Sequence, residues 1–109
     1  MRIELRGRGG QAADEELLSK VEKKLEKVAK QVSPLAELTI ELKEERGEQV
    51  AEGALRLKGV TLRAREHASD AGHALNLLAD DLARQVKKHR DKRRGRREAQ
   101  RAAAEQQAV

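Results

Sequence analysis

Residues 37–64 have the sequence ELTIELKEERGEQVAEGALRLKGVTLRA, and this stretch decides the fold. Apolar residues alternate with polar ones in three consecutive runs, which is the period of strands that bury one face. Turns are expected at Arg46-Gly47 and at Lys58-Gly59, so the three strands form two consecutive hairpins. The residues expected on the buried face are Leu38, Ile40, Leu42, Ala51, Gly53, Leu55, Leu57, Leu62 and Ala64.

One strand and one helix are predicted before this stretch. Ile3 and Leu5 alternate with charged residues, which indicates a short strand with one buried face. Asp14 is the expected N-cap of a helix over residues 14–32, which ends before Pro34 because proline disfavours helical geometry at the preceding residue. The apolar stripe of this helix consists of Leu17, Leu18, Val21, Leu25, Val28, Ala29 and Val32.

A second long helix is expected after the last strand. Ser69 is a suitable N-cap, and an apolar stripe follows it within about 120° of the helical wheel. Beyond roughly His89 the stripe ends, because Lys92 and Arg93 occupy the arc that leucines hold earlier. The stripe consists of Ala71, Ala74, Leu75, Leu78, Leu82 and Val86.

The predicted order of elements is βαβββα, which is an α+β fold. The economical packing places two helices on one face of a four-stranded mixed sheet. A chain of 109 residues has room for one domain, which we assign to residues 1–92. Residues 93–109 lack core periodicity and are predicted to form a basic tail without regular structure.

The composition narrows the possible functions. The chain has no cysteine, which excludes disulfides, thiolate zinc sites and thiol catalysis. Its first six residues alternate in polarity, so we expect neither a signal peptide nor a membrane span and place the protein in the cytoplasm. Phe, Tyr and Trp are absent, so the core must consist of aliphatic side chains.

Positive charge is concentrated near the end of the chain. Residues 84–101 contain ten Lys or Arg and two acids, a net charge of +8, which leaves −3 for the remainder of a chain whose total is +5. Such a concentration is typical of nucleic-acid contact. Without aromatic rings, we expect contacts to RNA phosphates and 2′-hydroxyls rather than stacking on bases. A membrane-surface helix is disfavoured, because the basic stretch lacks apolar anchors.

Signals for catalysis, cofactors and metals are weak. No serine has a recognisable partner base, so we expect neither enzymatic activity nor a small-molecule substrate. His67, His73 and His89 lack a metal-ligand spacing and are interpreted as solvated or interface side chains. The glycine-rich residues 7–10 match no phosphate-loop signature, and Asp80-Asp81 are adjacent on a helix and do not converge on one ion.

Four stretches carry a family resemblance. They are residues 3–8 (IELRGR), 21–27 (VEKKLEK), 61–64 (TLRA) and 82–92 (LARQVKKHRDK). In order and spacing they resemble the ribosome hibernation promoting factor and ribosome-associated inhibitor family, and they agree with the βαβββα pattern. We expect a short form, because residues 93–109 cannot form the second, dimerising domain of the long members.

The resemblance implies a factor that binds the small ribosomal subunit in the mRNA and tRNA channel and inhibits translation under stress or in stationary phase. The implied partners are this subunit and its rRNA, with other hibernation factors as further candidates. The implied RNA-binding residues are Arg84, Lys87, Lys88, His89, Arg90 and Lys92 on the second helix, with Lys23, Lys24 and Lys27 as weaker candidates on the first.

The chain departs from the family pattern near the start of the second helix. Asp70 matches the acid that opens this helix, but Gly72 stands where an aromatic residue is common, and Asn76 replaces a later Asp. Contacts of that ring therefore do not carry over. Two other functions stay open: a general RNA or DNA chaperone without ribosome specificity, and a protein-interaction module whose basic helix engages an acidic partner.

Overall fold

The computed structural model describes residues 1–7 and 15–107, with the backbone alone at positions 93, 94 and 96–107. The predicted N-cap Asp14 and most of the glycine-rich segment lie outside the described residues. The elements are β1 (Arg2–Gly7), α1 (Glu15–Lys24), α2 (Glu26–Ala29), β2 (Glu37–Glu45), β3 (Glu48–Leu57), β4 (Val60–Ala68) and α3 (Ala71–Gln107).

The four strands form one mixed sheet in the order β1-β2-β3-β4. β1 pairs with β2 in parallel, with Ile3 opposite Leu38, and the other neighbours are antiparallel. Both predicted hairpin turns are present. Arg46 and Gly47 have φ angles of 52° and 80°, and Gly59 has a φ of 83°, the positive values that tight hairpin turns require. The predicted α+β fold with a four-stranded mixed sheet is therefore confirmed.

The core lies between the helices and one face of the sheet. Every buried side chain of this core cluster is aliphatic, which agrees with the absence of aromatic residues. The predicted helix stripes, apart from Leu18 and Ala29 of the first helix, meet the inward positions of β2 and β3 in this layer. The buried members are Val21, Leu25, Val28, Ala36, Leu38, Ile40, Leu42, Ala51, Leu55, Ala74, Leu75, Leu78, Ala79, Leu82 and Val86.

Gly53 lies on the inward side of β3, directly below α3. A Cβ atom at this position would lie 3.2 Å from Leu78 Cδ2 and 3.4 Å from Leu82 Cδ1. The missing side chain lets α3 approach the sheet closely, which explains a glycine inside a strand. Gly53 therefore sets the spacing between the two layers.

The single helix expected over residues 14–32 is divided. Leu25 separates α1 from α2 with φ −93° and ψ 3°, values of the sparsely populated bridge region. The hydrogen bonds from Leu25 N–H to Val21 O and from Ala29 N–H to Leu25 O persist at 2.9 and 2.8 Å. Since Leu25 is 1% exposed, core packing overrides regular helical geometry there. The end at Ala29 also corrects the predicted end at residue 32.

The N-cap of the last helix is Asp70, not Ser69. Asp70 Oδ1 accepts a hydrogen bond of 2.7 Å from the backbone N–H of His73, and Asp70 O accepts one of 3.1 Å from Ala74 N–H. Both residue types are good caps, but aspartate adds a negative charge at the positive end of the helix dipole. The prediction of Ser69 was wrong by one residue.

Candidate nucleic-acid interface

The last helix extends well beyond the core. Val86 is the last buried residue among the described side chains, yet the α3 backbone continues to Gln107, which is about 30 Å further at 1.5 Å per residue. The radius of gyration is 17.3 Å and the longest dimension 65 Å, whereas a compact chain of this length has a radius of about 13 Å. A Cβ at Gly95 would meet nothing within 4 Å. The helix therefore projects from the sheet.

Residues 93–107 form helix where the sequence predicted a tail without regular structure. This segment is rich in Ala, Arg, Glu and Gln, which are strong helix formers. Extending an existing helix also avoids the unfavourable nucleation step. The prediction depended on the regular spacing of apolar residues, which shows that a helix packs against a core and not whether a helix forms. Whether residues 93–109 act as a separate unit stays a prediction.

Cations cover the side of α3 that faces away from the sheet. Arg84, Lys87, Lys88 and Asp91 are exposed and follow the spacing i, i+3, i+4 and i+7, which places them on one helix face. On the helical wheel this face lies opposite Leu82. We call this group, together with Arg90 and Lys92 on its flanks, the basic face of α3.

His89 lies apart from the basic face. Its position on the helical wheel is close to that of Leu82, and its side chain is half-buried. Of the predicted second-helix residues, His89 is therefore the one that the structure turns toward the sheet. The other five are exposed to solvent.

The cations of the basic face are not neutralised by the fold. Among the described side chains, Lys87, Lys88 and Arg90 form no salt bridge, although Asp91 is a neighbour on the same helix. From Arg84 to Lys92 the helix carries five Lys or Arg and one acid. This surface keeps a strong positive potential, as a phosphate-binding surface requires.

The outer face of the sheet shows the opposite arrangement. Lys43 Nζ lies 2.9 Å from Glu52 Oε1, and Arg65 NH1 lies 3.3 Å from the same oxygen. Arg65 also bonds to Glu45. The hydrogen bond with Glu52 raises the pKa of Lys43 above its ordinary value. Lys43 and Arg65 are thus shared with carboxylates, so this part of the sheet is a weaker candidate for binding a polyanion.

A polar cluster borders the basic face on the side of β4. Gln85 Nε2 donates to Asp81 Oδ1 at 3.0 Å and to Arg63 O at 2.8 Å, so it also covers a carbonyl on the free edge of β4. Burial and a hydrogen bond with Asp81 raise the pKa of Glu66, while Arg84 acts in the opposite direction. The cluster attaches the last supported turns of α3 to the sheet.

The first helix contributes a second group of cations to the same layer. Lys23 and Lys27 are exposed, and Lys24 Nζ lies 3.4 Å from Asp80 Oδ1 of α3. Of the three predicted residues, Lys24 is therefore partly neutralised. The helical layer carries both groups of predicted RNA-binding residues, and the sheet carries neither.

Comparison with known proteins assigns the chain to a family. The model of the family described as Sigma 54 modulation protein / S30EA ribosomal protein matches residues 3–94, which is most of the chain. The chain belongs to this family. The family resemblance inferred from the four sequence stretches is thereby confirmed. No curated protein sequence matches the chain significantly.

Two solved structures are similar to this member of the S30EA family. The N-terminal domain of Protein Y from Thermus thermophilus is 27% identical with a TM-score of 0.72, and the match covers 82% of this chain and 99% of that domain. A ribosomal subunit interface protein from Coxiella burnetii is 22% identical with a TM-score of 0.70, and the match covers 84% of this chain and 99% of that one. The second likeness supports the fold alone.

Other residues of this family member were not singled out from the sequence as binding residues. Lys20, His73 and Asn76 line a groove between α1 and the start of α3. The signal for Lys20 was its position four residues before Lys24, on the same helix side. The partners of α1 across the groove were not predictable, because α1 and α3 are far apart in sequence.

Neither a metal centre nor a membrane segment is found in the described part of the chain. No three His, Asp or Glu side chains among the described residues come together in a way that suits a metal ion. Asp80 and Asp81 have different partners, Lys24 on one side of α3 and Gln85 on the other. None of the described helices combines the length and apolar character of a membrane span.

Proposed function

We propose that this protein binds the small ribosomal subunit through the basic face of α3 and inhibits translation by occupying the mRNA and tRNA channel. The observation that carries the proposal is the set of unpaired cations on a helix that projects about 30 Å beyond its last buried residue. Membership of the S30EA family supports a ribosomal partner.

The binding mechanism follows from electrostatics. Lys and Arg side chains that meet rRNA phosphates release condensed counterions, and this release supplies much of the affinity. Because the cations lie on a rigid helix and not on a loop, less conformational entropy is lost on binding. A helix with side chains is roughly 10–12 Å wide, so one lying in a nucleic-acid channel excludes another strand sterically. Inhibition requires no catalysis, cofactor or small-molecule substrate.

The physiological setting is part of the same proposal. Ribosomes that translate cytosolic mRNA are in the cytoplasm, and we place the protein there. Occupation of the channel under stress or in stationary phase would keep idle subunits from initiating. Other hibernation factors are then partners only through the ribosome that they share.

Co-sedimentation with purified ribosomal subunits tests the proposal. Lys87→Glu, Lys88→Glu and Arg90→Glu are combined in one variant, and we expect its binding to the small subunit to fall at least tenfold, because three phosphate contacts become repulsive. Addition of wild-type protein should also reduce mRNA binding to small subunits. If the variant sediments with small subunits like the wild type, the site assignment is wrong.

A matched control separates the site from overall charge. Arg2→Glu, Arg46→Glu and Arg56→Glu change the net charge equally, but these exposed residues lie on the sheet and its turn. We expect this variant to retain most small-subunit binding. Equal affinity of the wild-type protein for ribosomes and for random RNA duplex, at matched phosphate concentration, would instead favour a general RNA chaperone.

A further inference from the structure

A groove lies between α1 and the first turns of α3, with a volume of about 320 Å³. Its volume lies within the range of roughly 300–1,000 Å³ that small-ligand sites occupy. Leu17, Val21 and Leu75 provide its apolar part. The polar and charged residues that line it are Lys20, Lys24, Asp70, His73 and Asn76.

Gly72 lines the groove and contributes no side chain to it. A Cβ at this position would meet only Asp70 Oδ1, at 3.4 Å, which is an ordinary van der Waals distance. No described side chain therefore fills the space beside Gly72. A larger residue at this position would extend into the groove.

The polar side chains of the groove suit a nucleobase. Histidine is the only residue type in this chain with a flat unsaturated ring, and such rings stack on unpaired bases. The backbone of His73 is fixed by the Asp70 cap while its side chain is exposed. The carboxamide of Asn76 offers an NH₂ group as donor and a carbonyl oxygen as acceptor, which can pair with the edge of an adenine.

The lysines of the groove suit the phosphate that accompanies a base. Lys20 is exposed and forms no salt bridge with any described residue, whereas Lys24 shares its charge with Asp80. Lys20 is therefore the stronger phosphate contact. The Asp70 carboxylate accepts a hydrogen bond from the His73 N–H and keeps its negative charge, so the phosphate contact falls to Lys20, on the other helix.

We propose that this groove holds one unpaired nucleotide of an RNA, with the base against His73 and Asn76 and the phosphate against Lys20. The proposal rests on the proposed function, because RNA on the basic face of α3 brings its nucleotides to the same helical layer. An acidic peptide fits less well, since carboxylates offer charge but no flat face for the apolar wall and the ring.

Two RNA duplexes that differ in one nucleotide test the proposal. One duplex is fully paired, and the other carries a single bulged adenine. We expect the wild-type protein to bind the bulged duplex at least about fivefold more tightly, as one stacked base allows. Gly72→Phe fills the groove, and we expect this variant to lose the preference while it binds the paired duplex as the wild type does. Circular dichroism and the thermal midpoint verify its folding.

A second variant keeps the test independent of the filled groove. Asn76 is exposed, so its replacement should not disturb the fold. We expect Asn76→Ala to lower the preference for a bulged adenine over a bulged uracil. Equal wild-type affinity for bulged and paired duplexes, or an unchanged preference in Gly72→Phe, would overturn the groove proposal and leave the proposed function intact. If the wild-type protein binds neither RNA duplex, both the groove proposal and the proposed function are wrong. Binding of a glutamate-rich peptide that Gly72→Phe abolishes would replace the nucleotide as occupant.

Discussion

Asp70 is the residue that fixes the start of α3. Its carboxylate accepts a hydrogen bond of 2.7 Å from His73 N–H, which satisfies a donor that the helix itself leaves without a partner. We expect Asp70→Ala to lower the free energy of unfolding by about 0.5–2 kcal/mol. Ser69→Ala, one residue earlier, should change it by a few tenths at most. Urea denaturation followed by circular dichroism measures both, and equal losses would contradict the assignment of the cap.

Glu66 makes the stability depend on pH. Burial and the hydrogen bond with Asp81 raise its pKa above the ordinary value, so the folded protein binds this proton more tightly than the unfolded chain does. The resulting stability is complete below the unfolded-chain pKa of about 4.3 and is lost as pH rises through the folded value.

Glu66→Gln removes this dependence. We expect the variant to match the wild-type protein at about pH 4 and to be more stable at about pH 7, because glutamine has no charge to bury. Chemical denaturation at a series of pH values gives the difference in unfolding free energy. A difference that stays constant across this range would show that Glu66 titrates as it does in the unfolded chain.

At the scale of elements, α3 lies against β3 at Gly53. A Cβ there would be 3.2 Å from Leu78 Cδ2, tighter than ordinary contact, and a branched side chain would force the helix outward. We expect Gly53→Val to destabilise the fold by about 1–3 kcal/mol. Ala54→Val, on the outer face of the same strand, is the matched control and should be nearly neutral. Similar urea midpoints for the two variants would contradict this packing.

The basic face of α3 predicts a specific dependence on salt. Each phosphate contact adds about 0.9 to the slope of log affinity against log salt concentration. Lys87→Gln combined with Lys88→Gln should therefore lower this slope by about 2. Binding to small subunits or to duplex RNA over a salt series measures it. An unchanged slope would mean that neither lysine meets a phosphate.

Periodicity in the sequence was sufficient for the strands and for the supported half of α3. Alternation placed Leu38 and Leu55 inside, and the apolar stripe ended at Val86 as the structure has it. The distortion at Leu25 was not predictable, because the apolar period runs through it unbroken. The helix beyond residue 92 was not predicted for a different reason. Its residues have high helix propensity, but the prediction relied on the apolar period of a packed helix, which this segment lacks.

For the whole molecule, charge segregation and the family stretch at residues 82–92 pointed to the same end of the second helix, where the structure places exposed cations. The basic face of α3 and the paired charges of the sheet, such as Lys43 and Glu52, lie on different surfaces. The groove beside Gly72 could not be predicted, because it needs α1 and α3 side by side. The sequence shows that no ring stands at position 72, but the space beside this residue is visible only in the folded chain.

Site-specific cross-linking to the small ribosomal subunit shows which surface of the protein meets rRNA. A photoreactive side chain replaces Lys88 on the basic face in one variant and Ala54 on the outer sheet face in another. We expect position 88 to cross-link to rRNA of the small subunit and position 54 not to. Cross-links to rRNA from position 54 alone, or from neither position while the protein stays bound, would contradict it.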